Sequence, residues 1–490
     1  MSTTDYDVAI IGAGVCGASI ARVLSAFELR VVLLEKESDV CFGVSKANSG
    51  IIHGGFHHPA TSLKAKLEIR GNLMYERLHY ELGFPFKRVG ILVVAFSEEE
   101  MKTVTHLFSQ GEENGVAGLE LCSAQRIRDL EPGINPDAAG GLYAPGGGII
   151  EPYRFVFALV ENAVVNGCTA ATGFEVAKAV RDDSRFRITA HDGRSVTCRY
   201  AINAAGLYAD TVSSLFGAES FSIVPRKGEE YLLDRGAAAF PNHVLFPVPA
   251  RNSKGILVIP TVGETTMVGP TAVEVDDKED LATSPENLER VFTQAKHMMP
   301  SVSRRDIITS FAGMRPALAG GDFYIAVSDK VPDLIQVAGI QSPGLTAAPA
   351  IGEYVKDLLK VCGCPFIEKQ HFEPTLPKVT AIRDLPPASM DRLIETDRGY
   401  GEIVCRCETV SEAQIVEAIR KGHTTLDGIK FYTRSGMGRC QGGFCTSKIL
   451  RILARETGKP VTEFTKRGNG SHLISEQLSA DSFHPEESRQ

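Results

Sequence analysis

The first thirty-five residues constrain the fold more than any other stretch. An apolar run, Val8 to Ile11, leads at once into Gly12-x-Gly14-x-x-Gly17, and Ala18 to Phe27 then carries no Gly or Pro. A second apolar run, Val31 to Leu34, ends in an acid, Glu35. Short continuous apolar runs read as buried parallel strands, so the order is strand, glycine turn, helix, strand, acid: a βαβ unit. Gly12 permits the tight turn, Gly14 lets the backbone approach a pyrophosphate, and Gly17 lets the helix pack closely on the strand. The helix N-terminus offers N–H groups to phosphate, and Glu35 can accept hydrogen bonds from a ribose diol. The stretch predicts dinucleotide binding without choosing between NAD and FAD.

Small residues recur where a cofactor would pass. The loop after Glu35 holds Ser45, Asn48, Ser49, Gly50, His53, Gly54 and Gly55 with no apolar period, the composition of a backbone wrapped on a ligand. An apolar strand at 200–203 runs into Ala204, Ala205 and Gly206. A later strand, Leu334 to Gly339, is followed by the turn Gln341-Ser342-Pro343-Gly344-Leu345-Thr346 and a helix to about Leu359, which repeats the logic of the first unit. Between these parts, Ser62 to Leu82 reads as one helix. Residues 222–271 read as short strands separated by Gly, Pro and Asn turns, which predicts an antiparallel sheet. A strand from Asp306 to Pro316 carries Arg315, whose planar fork suits a carboxylate or phosphate. Lys254 and Arg226 are weaker candidates for the same anion, and Ser342 and Thr346 are candidate donors to a cofactor or substrate.

At 490 residues there is room for about three domains. A net charge of −8 argues against broad nucleic-acid binding. No apolar run is long enough to span a bilayer, and the N-terminus leads straight into the first strand without room for a signal peptide, so a cytoplasmic protein is expected, docked on a membrane through a partner if at all. The eleven cysteines are uneven. Five are scattered before residue 360 and read as small buried hydrophobes. Six lie later, as Cys362-x-Cys364, Cys405-x-Cys407 and Cys440-x4-Cys445, a clustering that points to metal rather than disulfides.

With these motifs placed, the first 360 residues resemble the D-amino-acid-oxidase-like superfamily of FAD-dependent oxidoreductases. The carriers are the glycine motif, Glu35, Asn48-Ser-Gly-Ile-Ile-His53, Asn203-Ala-Ala-Gly206 and Gly339-Ile-Gln-Ser-Pro-Gly344-Leu-Thr346. Within it the chain is similar to the FAD-dependent glycerol-3-phosphate dehydrogenases and oxidases and to the L-2-hydroxyglutarate dehydrogenases. The 253–261 stretch and the Pro225–Gly228 turn look closer to the first group. The terminal cysteines resemble the bacterioferritin-associated-ferredoxin-type [2Fe-2S] domain. Four sulfurs also suit zinc, although the spacing does not match a zinc ribbon.

The resemblance implies a mixed α/β and α+β architecture. A Rossmann-type FAD-binding domain would comprise 1–90, 145–220 and 325–360, and an inserted antiparallel-sheet substrate domain 91–144 and 221–324. A linker at 361–399, a [2Fe-2S] domain at 400–471 and a polar, disordered tail at 472–490 would follow. It implies FAD contacts from Gly12, Gly14, Gly17, Glu35, Ser45, Asn48, Ser49, Val176, Ala205, Gly206, Gly339, Gly344, Leu345 and Thr346, and cluster ligation by Cys405, Cys407, Cys440 and Cys445. Cys362 and Cys364 are then linker thiols. His53 is the expected base, with a hydrogen bond or a covalent bond to the flavin as the alternatives, and Arg315 and Lys254 are expected for the anion; His57 and His58 read as loop residues. The expected activity is oxidation of sn-glycerol 3-phosphate, with electrons leaving through the cluster to a partner protein and finally quinone. The competitors are a 2-hydroxy-acid dehydrogenase, an amine or amino-acid dehydrogenase, and a non-catalytic electron-relay subunit.

Overall fold

The computed structural model describes residues 4–249, 254–377 and 382–474. Met1 to Thr3, Ser253 and the tail from 475 onward lie outside them. The chain forms two compact units, divided between Val379 and Thr380.

The first strand, Thr4–Ile11, is central to an eight-stranded sheet. It lies parallel to Val31–Leu34 on one side and to Ser195–Asn203 on the other. Leu334–Ala338 continues the parallel order, pairing with the end of Ser195–Asn203, whose start pairs antiparallel with Arg185–Ala190. The register aligns Leu34, Ile11, Asn203 and Gln336, so four parallel strands end at one edge. Ligands bind outside the carboxyl ends of such sheets. The glycines act as their positions demand. Gly12 has φ +103°, and a Cβ on Gly17 would stand 1.9 Å from the Gly12 carbonyl oxygen. The helix Val15–Leu24 can therefore lie against the strand only because residue 17 has no side chain.

The second sheet has nine strands. Its spine is the long antiparallel pair Ile223–Leu233 and Ile307–Leu318. The remaining pairings are antiparallel with one exception: Val244–Pro247 lies parallel to Ile91–Ala95, joining the 91–144 segment to the later strands. Within 222–271 the strands pair antiparallel with one another, as expected. The joint is sealed by Leu92, Val94, Leu245 and Val258, all buried in one apolar cluster.

Two local expectations also change. The expected helix from Ser62 to Leu82 is two helices, Leu63–Asn72 and Tyr75–Leu82. The break frees the Asn72 side chain to donate to the carbonyls of His53, at 2.6 Å, and Gly146, at 2.9 Å. The stretch expected as a linker is partly ordered structure. Glu28 N–H donates to Ile367 O and Lys369 N–H to Ala26 O, which ties 367–369 to the first unit. Pro387–Thr396 is a helix begun by its own proline, whose missing N–H costs nothing in a first turn.

The second unit is small and mostly helical: Glu412–Arg420, Leu426–Thr433 and Thr446–Thr457 enclose Ile415, Ile429 and Leu453, all buried. Ser411 and Gln414 close the first of these with a reciprocal capping box. No helix among the described residues is long and apolar enough to cross a membrane.

Candidate active site and cysteine cluster

A cavity of about 600 Å³ opens at the carboxyl edge of the parallel sheet and runs to the face of the second sheet. That volume lies in the range of cofactor and ligand sites. Gly12, Gly14, Glu35, Ser45, Asn48, Ser49, Val176, Ala205 and Gly206 line it, with Gly344 and Leu345 on the opposite turn. Gly17, Gly339 and Thr346 do not. Gly17 serves helix packing, and Gly339, at φ +69°, turns the chain. Thr346 is fully buried, and its hydroxyl accepts the His53 N–H at 2.9 Å.

The nucleotide end is built from backbone. Glu35 is buried and takes the Ala13 N–H at 2.8 Å and the Glu37 N–H at 3.0 Å; burial raises its pKa. Ser45 accepts the Val15 N–H at 2.9 Å. The next amides of that first helical turn have no acceptor within the helix, the arrangement that suits a pyrophosphate. Gly43 and Gly206 both line the cavity, and neither would meet any atom within 4 Å if it bore a Cβ, so the space beside them is open to a ligand. Beneath the edge, Asn203 is buried and hydrogen-bonded to Ala209 O and to Gln336, which fixes the strand ends against one another.

The other end is built from side chains. Residues alternate faces along a strand, so Arg226, Gly228 and Glu230 share one face, and the register sets Arg315 opposite Arg226 and Gly313 opposite Gly228. All five line the cavity. The paired glycines make the room: a Cβ at Gly228 would stand 2.8 Å from the Arg315 guanidinium. Arg315 donates to Thr271 O at 3.1 Å, while Arg226 is engaged by Glu274 at 2.8 Å. Glu230 receives the Ser49 hydroxyl at 3.0 Å, and its other oxygen is buried without a partner. Burial pushes its carboxyl up to about 7, against the pull of Arg315.

His53 faces this group. Its backbone is held by Thr346 and Asn72, and its Nε2 lies 3.1 Å from the Ser342 hydroxyl, which receives Lys254 Nζ at 3.2 Å. Burial, with the nearby Lys254 charge, holds the imidazole well below the ordinary histidine range, so it is a neutral base at pH 7. Its Nδ1 is buried and unpartnered. His57 also lines the cavity, tilted between Phe56 and Phe246, a position the loop composition did not reveal. Glu230 was missed as well. Its strand was legible, but the face it presents follows from register with a partner strand some eighty residues away.

The four clustered thiols come together. Cys405 and Cys407 sulfurs are 3.7 Å apart, and Cys407 and Cys440 3.8 Å; Cys445 is hydrogen-bonded to Cys405. Two sulfurs on one tetrahedral metal, with bonds of about 2.3 Å, stand about 3.8 Å apart. Backbone N–H groups of Phe444 and Gly442 donate to Cys440 and hold its thiol below the ordinary range. A Cβ on Gly438 would meet the Cys407 sulfur at 2.6 Å. Four thiols, amides aimed at sulfur and a glycine clearing the approach fit a thiolate-bound iron–sulfur centre.

Residues 7–358 match the sequence profile of the FAD dependent oxidoreductase family. The chain belongs to that family. Residues 403–455 match the BFD-like [2Fe-2S] binding domain, so FAD and a [2Fe-2S] cluster are its cofactors. The glycerol 3-phosphate dehydrogenase of Caloramator mitchellensis is 42% identical over 471 residues, 96% of this chain and 98% of that protein. The glycerol 3-phosphate oxidase of Mycoplasma pneumoniae is 33% identical over 353 residues, 70% of this chain and 92% of that protein. Among solved structures, the dithionite-reduced L-alpha-glycerophosphate oxidase of M. pneumoniae with FAD bound superposes with a TM-score of 0.73 at 31% identity, covering 77% of this chain and all of that one.

Proposed function

We propose that this oxidoreductase converts sn-glycerol 3-phosphate to dihydroxyacetone phosphate and passes the electrons out through its [2Fe-2S] domain. The observation that carries the reading is the 42% identity to a glycerol 3-phosphate dehydrogenase along 96% of the chain. The oxidase relative matches only 70% of it, so the thiol-bearing unit is matched in the dehydrogenase alone of these two. The site chemistry agrees: Arg315, Lys254 and a neutral imidazole share one cavity, which is what an anionic secondary alcohol requires.

In this reading Arg315 takes the phosphate with two parallel N–H bonds, and Lys254 adds a second positive charge. The anion and Arg315 lie on the strand face, with His53 across the cavity. The substrate hydroxyl competes with Ser342 for Nε2 of His53, and the imidazole takes the hydroxyl proton as the C–H bond breaks. Bound FAD supplies the hydride acceptor, held by the first helix, Glu35 and the 203–206 edge. Burial, which raises the Glu230 carboxyl to about 7, lessens its repulsion of an incoming dianion. Phe246, on the cavity wall beside His53, keeps the reacting end apolar.

A substrate panel with an artificial dye acceptor tests it. The expected result is turnover of sn-glycerol 3-phosphate with little or none of L-2-hydroxyglutarate, glycine or proline. Preference for any of those three overturns the assignment.

A further inference from the structure

Within the second unit, the thiol-bearing stretch 400–471 has a positive balance against the negative one of the whole chain. Residues 400–471 hold twelve Lys and Arg against seven Asp and Glu, in a protein whose net charge is −8. Three of these cations gather beside the thiols. Arg406 separates Cys405 from Cys407, and Lys448 and Arg451 rise one turn apart from the helix Thr446–Thr457, which starts immediately after Cys445. All three are exposed, and none is paired with a carboxylate among the described residues. Phe444, which donates its N–H to the Cys440 sulfur, leaves its ring 81% exposed, the most exposed large hydrophobic residue among the described ones. An exposed aromatic ring followed four and seven residues later by unpaired cations has the anatomy of an interface that steers its partner electrostatically.

We propose that Phe444, Arg406, Lys448 and Arg451 form the docking face for an acidic electron-carrier protein. The partner's carboxylate rim meets the three cations, and Phe444 seats in an apolar spot beside its redox centre. One electron leaves per encounter, so two encounters follow each alcohol oxidised, and no proton crosses the face. The inference rests on the reading that electrons exit through this unit, but not on which alcohol supplies them.

The experiment uses the full-length holoprotein reduced with dithionite, which separates a failure here from a failure of the substrate assignment. An acidic flavodoxin is the probe, with affinity measured by surface plasmon resonance and reduction by stopped flow. Raising salt from about 20 mM to about 300 mM should weaken binding at least about tenfold, because the Debye length falls below the spacing of the charges. The Lys448→Glu/Arg451→Glu double variant should do the same at low salt, and Phe444→Ser should raise the off-rate. The cluster absorption should be unchanged in the double variant, and so should the rate of flavin-to-cluster transfer. If the double variant binds flavodoxin as the parent does, or basic cytochrome c is bound as well with the same salt response, the proposal fails. It fails also if the double variant instead slows internal transfer, or if the face binds anionic phospholipid vesicles in preference to flavodoxin.

Discussion

Ser342 holds its hydroxyl 3.1 Å from Nε2 of His53, across 289 residues of sequence. The turn that opens the last helix of the first unit thus orients the imidazole that the loop behind the first βαβ unit supplies. His53→Gln keeps the size but removes the base, and should lower the rate of flavin reduction by substrate about 10²- to 10⁴-fold with little change in substrate affinity. Ser342→Ala should lower it about tenfold, since the ring keeps its backbone anchors. Single-turnover stopped flow checks both.

Arg315 offers a planar fork where Lys offers a point charge. Arg315→Ala should reduce kcat/KM about ten- to a hundredfold, corresponding to about 1.5–3 kcal/mol for charged hydrogen bonds. Arg315→Lys should recover only part of it, and the loss should appear mainly in KM. Steady-state kinetics with a dye acceptor measures the split.

Lys254 is half-buried, and desolvation pushes its ammonium down to about 8, with Lys64 and Arg315 pushing the same way and Glu68 opposing. Below that value the side chain is charged and attracts the anion; above it the charge is lost. The kcat/KM profile from about pH 6 to about pH 9.5 should therefore fall through a limb near 8. Lys254→Met should have a lower plateau and no such limb. His53, held well below 6.5 by burial, stays neutral across this window and adds no limb of its own.

Gly17 is the position where a single methyl group has nowhere to go, 1.9 Å from the Gly12 carbonyl oxygen. Gly17→Ala should separate helix from strand at a cost of about 1–3 kcal/mol, and the purified protein should carry less FAD. Thermal unfolding and the flavin-to-protein absorbance ratio report the two effects.

Cys440→Ser should remove the cluster absorption while substrate still bleaches the flavin. Cys362→Ser should leave both bands intact, because the four sulfurs that approach one another are Cys405, Cys407, Cys440 and Cys445.

How much was legible in the sequence follows from the range of the physics. The βαβ unit, the sheet-edge residues Asn203 to Gly206 and the paired cysteines are encoded within a few residues, by apolar runs and by glycines at turns. The cavity-facing set Arg226, Gly228, Glu230, Gly313 and Arg315 depends on register between two strands. Arg315 and, more weakly, Arg226 stood out beforehand, through their residue type. His57 gave no sign because its surroundings, Phe56 and Phe246, meet only when the two sheets are assembled. The break at Leu73 and Met74 was likewise hidden: helix propensity runs through it, and the hydrogen bonds from Asn72 to His53 and Gly146 are tertiary. The helix Pro387–Thr396 escaped notice because prolines, read as breakers, also start helices.

The most direct measurement is anaerobic mixing of the oxidised holoprotein with sn-glycerol 3-phosphate while the flavin and cluster bands are followed together. The expected record is rapid bleaching of the flavin, then of the cluster, with dihydroxyacetone phosphate formed in step. A flavin that stays oxidised with this substrate, yet bleaches with L-2-hydroxyglutarate or an amino acid, would contradict the account.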